Sequence, residues 1–82
     1  MAHAEASIDR IRHDGPIKNS MHDIIQTLSI KIDSAARYGL YVEDARADGF
    51  DDCAKLFTEL RDLELGAIGN LTTCLRAHID DL

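Results

Sequence analysis

Tryptophan is absent from this chain of 82 residues, and only four residues, two Tyr and two Phe, are aromatic at all. Strand-like runs of Val, Thr, Tyr and Phe are missing with them, which argues against a β-rich fold. Proline occurs once, as Pro16, so nothing beyond it interrupts a helix through the ring. No apolar run approaches the roughly 20 residues of a membrane span, and a membrane is not expected as a partner. The opening Met1-Ala2-His3-Ala4-Glu5 lacks the apolar core of a signal peptide, so a cytoplasmic location is the default expectation. Positive charge is scarce: nine Lys and Arg stand against fifteen Asp and Glu, for a net charge of −6. The basic residues are scattered among acids and not gathered on one face, which argues against nucleic acid as a partner.

Cysteine is nearly absent too, and the two that occur cannot staple the chain. Cys53 and Cys74 fall on what reads as a single helix, about 31 Å apart at its rise per residue. A disulfide needs Cα atoms within roughly 7 Å. Two free, buried thiols are therefore expected.

What is present is helix-forming. Ala, Leu, Ile, Asp and Arg dominate, with 45% hydrophobic and 29% charged residues, as in a folded globular chain. A chain of this length makes one small domain with a modest core. Such domains usually need a disulfide, a metal or self-association to be stable.

Residues 1–16 read as a short N-terminal arm or helix, with Ile8 and Ile11 its only large apolar residues and Asp14-Gly15-Pro16 as its stop. The hairpin domain follows over 17–82. A first long helix is expected over about 19–47, capped by Asn19 or Ser20. Met21, Ile25, Leu28, Ile32, Ala35, Gly39 and Val42 recur in it at alternating steps of four and three, the heptad pattern of lengthwise packing. Ile24, Tyr38 and Ala45 widen this stripe enough to serve two neighbouring helices. A turn is expected over 48–51, with Gly49 as C-cap, Phe50 over the junction and Asp51 or Asp52 as the next N-cap. A connection this short folds the second helix, about 52–80, back antiparallel. That helix carries Cys53, Leu56, Phe57, Leu60, Leu63, Ala67, Leu71, Cys74, Leu75 and His78 on a broad apolar arc. Gly66 and Gly69 weaken it locally but project away from the arc's centre. The fold class is thus all-α: a long antiparallel hairpin with more apolar width than one hairpin can cover. Pairing with a second copy completes a four-helix bundle through Ile25, Leu28, Ile32, Val42, Phe57, Leu60, Leu71 and Leu75.

Few residues point to chemistry. Glu64 lies among Phe57, Leu71 and Leu75 on the helical wheel, and a carboxylate there must be paired, hydrogen-bonded, protonated or bound to metal. Two readings stay open: a structural core carboxylate, satisfied by an Arg, a Tyr hydroxyl, a water or its symmetry mate, or a metal ligand. Glu43 borders the apolar arc of the first helix nearer the turn. Cys74 and His78 stand one turn apart, a spacing used by metal ligands, with His22 at a similar height on the first helix. Tyr41 and Ile30 share an outer face, where they could cover the arm or meet another subunit. Ser7, Ser20, Ser29 and Ser34 lack a nucleophile turn, and there is no phosphate-binding loop, so no catalytic residue is assigned.

Ala36-Arg37-Tyr38-Gly39-Leu40-Tyr41-Val42-Glu43-Asp44-Ala45, then Asp51 and Asp52, then Leu56-Phe57-Thr58-Glu59-Leu60, then Glu64, Leu71 and Leu75 together resemble a ferritin-like helical hairpin. The resemblance spans roughly residues 20–80. It implies a four-helix bundle of two hairpins and, in active members of that family, a di-iron site. Only Glu64 falls at a ligand position. Ala67 stands where the family's Glu-x-x-His motif has its His, and the Glu of the other helix has no clear equivalent. The leading expectation is a non-enzymatic, homo-oligomerising interaction module with no cofactor. A small iron- or other transition-metal-binding protein, of di-iron or ferroxidase type, with a site between subunits is the alternative. A larger protein partner, met through Ile30, Tyr41 and the arm, is a third.

Overall fold

The computed structural model describes residues 16–81, and the N-terminal arm expected over 1–16 therefore lies, but for Pro16, outside the described residues. The chain forms two long helices, α1 over Asn19–Ala47 and α2 over Asp51–Ala77, packed against each other as a hairpin. A single 3₁₀ turn over Ile79–Asp81 follows, so the second helix ends before position 80. No strand occurs among the described residues.

The hairpin bends where local hydrogen bonding dictates. Gly49 takes φ 76°, a left-handed conformation that a β-carbon would oppose. Its N–H bonds the Arg46 carbonyl at 3.1 Å, and the Phe50 N–H bonds the Ala45 carbonyl at 2.8 Å. This pair of bonds is a Schellman motif, which satisfies carbonyls left open at the end of α1. The Phe50 carbonyl in turn accepts from the Ala54 N–H at 3.0 Å and so begins α2.

That geometry overrides the expected caps. Phe50, not Asp51 or Asp52, is the N-cap of α2, and both carboxylates fall inside its first turn. There they favour the positive end of the helix dipole. Lys18, not Asn19 or Ser20, precedes α1, again without a side-chain cap bond. Phe50 does not seal the junction either: its side chain stands 57% exposed.

The core inside one hairpin is thin. Val42, Ala45 and Ala54 form its buried cluster near the turn, with Cys53 and Phe57 packed against them. Met21 and Ala35 are the remaining buried residues among those described. Leu28, Leu60, Leu71 and Leu75 are half-buried along the seam, while Ile25 and Ile32 lie on the surface. Both cysteines sit on the unbroken α2 as free thiols. Cys74 is exposed instead of buried, because it lies on a flank of α2 that one hairpin leaves open.

Candidate functional site

Midway along the hairpin, Lys31 of α1 reaches Glu64 of α2, with Nζ donating to Oε1 at 3.2 Å. The Glu64 side chain is 15% exposed and that of Lys31 36%. Glu64 Oε2 is buried with no hydrogen-bond partner among the described residues, as is Nε of Arg61 one turn earlier. Glu64 thus faces the helix–helix seam as the wheel predicts, and the side chain that meets it within the hairpin is a lysine, not an arginine or a tyrosine. Sequence reasoning missed Lys31. Its signal was a ladder at seven-residue intervals, Ile24, Lys31, Tyr38 and Ala45, which puts Lys31 on the packing stripe.

At the turn end the aromatic residues gather. Tyr38 stacks on Phe57 with centroids 6.3 Å apart, and Tyr41 meets Phe57 edge-on at 5.5 Å. Tyr38 and Tyr41 are themselves edge-to-face at 6.2 Å. Tyr41 is therefore not an isolated outer-face residue: its ring spans the hairpin to α2. Beside this cluster lies an open concavity of about 370 Å³, lined by Tyr41, Asp44, Ala45, Asp48, Phe50, Cys53 and Phe57. Asp52 Oδ1 accepts the Cys53 N–H at 2.9 Å. Partial burial first, then the charge and hydrogen bonding of Asp52, push the Cys53 thiol above its ordinary pKa, which keeps it protonated and poorly nucleophilic at neutral pH.

At the opposite end, Cys74 and His78 line a second concavity of about 480 Å³ with Lys18, Asn19, Ser20, Met21, Ile24 and Asp81. His22 is not among its walls; its Nδ1 lies 3.1 Å from Asp23 Oδ1. His78 Nδ1 lies 3.4 Å from Asp81 Oδ2. No three His, Cys, Asp or Glu side chains among the described residues converge as a metal site. One chain therefore does not assemble His22, Cys74 and His78 into a ligand set. Glu43 is exposed on α1.

No helix among the described residues is long and apolar enough to cross a membrane. No protein-family model, curated protein or solved structure matches the chain.

Proposed function

We propose that this chain is a non-enzymatic helical interaction module whose hairpin pairs with a second copy to complete a ferritin-like four-helix bundle. One observation carries the reading: large apolar side chains stand in solvent along both helices. Leu63 is 70% exposed, Leu56 52%, Ile30 51%, Ile32 50% and Leu65 50%. Of the buried residues among those described, only Met21 and Val42 are larger than alanine. A domain of this size with no disulfide and so slight a core needs association to be stable. Residues two apart, such as Leu63 and Leu65 or Ile30 and Ile32, point about 200° apart on a helix, so these side chains lie on both sides of the two-helix layer and a second hairpin would cover one of the two.

A metal site shared between subunits is the second reading, and the unpartnered Oε2 of Glu64 favours it. It is the weaker one. The Lys31 ammonium already holds Oε1, and a positive charge at that distance opposes a cation on the same carboxylate. Multi-angle light scattering at micromolar concentration tests the leading reading. A dimer or a larger even-numbered assembly is expected; a stable, fully folded monomer would remove it.

A further inference from the structure

The concavity at the turn end displays one aromatic ring and two carboxylates, those of Phe50, Asp44 and Asp48, that the packing of the hairpin does not use. Three of the four aromatic residues of the chain, Tyr41, Phe50 and Phe57, line it together with the carboxylates of Asp44 and Asp48. No Lys, Arg or His of the described residues is among its walls. Phe50 is held there by the Schellman turn and yet is 57% exposed, so its ring is displayed and not spent on the core.

The two carboxylates are badly placed for the helix that carries them. Asp44 and Asp48 stand one turn apart, where like charges repel. They also lie at the C-terminal end of α1, where the helix dipole is negative and cations are favoured. Arg46, the basic residue of that last turn, lines a different hollow, on the side of Ala54, Lys55 and Thr58. Neither Asp44 nor Asp48 has an ion pair or side-chain hydrogen bond among the described residues. A bound cation would relieve both faults, and aromatic faces attract cations through their quadrupole.

We propose that this concavity is a docking site for an arginine side chain of a partner polypeptide. Arginine fits better than lysine because its planar guanidinium stacks on rings while its N–H fork reaches carboxylates. A polypeptide fits better than a small molecule because the concavity is open. An isolated ligand would keep much of its surface in water, whereas small-molecule pockets bury most of theirs.

The test is NMR titration of the full chain with a capped Ala-Arg-Ala peptide, the same peptide carrying neutral citrulline, and free arginine. The arginine peptide should perturb amides around Tyr41, Asp44, Asp48 and Phe50, binding about tenfold more tightly than the citrulline peptide. Free arginine should bind more weakly than the capped peptide. The Asp44→Asn/Asp48→Asn double variant changes exposed residues only, and should abolish the arginine preference while keeping its helical circular dichroism. Equal responses to the two peptides, tighter binding of free arginine, or an arginine preference that survives in the double variant would each overturn the proposal. Cys53 adjoins the Leu56–Leu63 flank of α2, so light scattering is run on the same samples: equal responses to the two peptides overturn the docking site whether the chain is dimer or monomer, and the bundle stands or falls on its mass alone.

Discussion

Glu64 is held through one oxygen. Lys31 Nζ lies 3.2 Å from Oε1, while Oε2 is buried and unpartnered among the described residues. Burying a carboxylate costs free energy, and its pairing with a partly exposed ammonium offsets that cost only in part. Removing the lysine alone leaves the charge in place without compensation. Lys31→Met should therefore destabilise the fold by about 1–2 kcal/mol. Glu64→Gln should cost less, since it removes the charge and keeps the shape. Lys31→Met with Glu64→Leu should recover most of the loss, because both polar groups leave together. A double-mutant cycle by urea unfolding measures all three. The Gln variant also separates the two functional readings. Neither it nor the wild type should take up ferrous iron stoichiometrically, and uptake by the wild type that is lost in Glu64→Gln would establish the metal site instead. The inward position of Glu64 was legible from the wheel, since it depends only on helical period. Its partner was not. Lys31 shares the packing stripe, but a reading by residue type passes over a charged residue whose long apolar stem can lie along a seam. Tyr41 is exposed with Ile30, as an outer face requires, but its contact with Phe57 went unread for a related reason. Its backbone position is on the flank, yet its ring is long enough to reach Phe57.

At the scale of elements, the turn was readable and the caps were not. Gly49 is the residue that a left-handed helix end demands, and it takes that conformation. Asn19, Ser20, Asp51 and Asp52 are all good capping residues, yet none stands at the N-cap of its helix, although Asp52 Oδ1 accepts the Cys53 N–H inside the first turn of α2. The Schellman turn fixes the start of α2 at Phe50, and a cap preference of about 1 kcal/mol does not move it. The glycines divide accordingly. A β-carbon at Gly66 or Gly69 would meet nothing within 4 Å in the hairpin. Gly66→Ala and Gly69→Ala should each stabilise α2 by about 0.5–1 kcal/mol. Gly49→Ala should instead destabilise by about 1 kcal/mol, because φ 76° is strained for alanine. Thermal unfolding at fixed protein concentration checks the three. A loss of stability on Gly69→Ala would mean that the outer face of α2 is covered.

The whole molecule is a two-helix layer, and a layer has two sides. Apolar residues on the wheel were enough to give the hairpin, because periodicity specifies which residues can meet. They could not say which side a second hairpin covers, because the stripes are broad on both helices. Exposure narrows the choice. Leu56, Leu60, Leu63, Ala67, Asn70 and Cys74 follow one another along α2 at alternating steps of four and three, a second heptad seam beside the one inside the hairpin. Leu63, at its centre, is the most exposed large apolar residue of those described, at 70%. Leu40 is nearly as exposed, at 59%, but it lies on the back of α1, away from the stripe through Ala35 and Val42. The two residues make a matched pair. If the bundle closes on the Leu56–Leu63 flank, Leu63→Lys places a charge in the new seam. Burying a leucine contributes about 2 kcal/mol, and a symmetric interface carries the residue twice. Dimerisation should then weaken by roughly a hundredfold or more, and the melting temperature should fall and lose its dependence on concentration. Leu40→Lys should leave both unchanged. Sedimentation equilibrium over a range of concentrations reads the difference, and equal weakening by the two variants would show that the second hairpin does not close on this flank of α2.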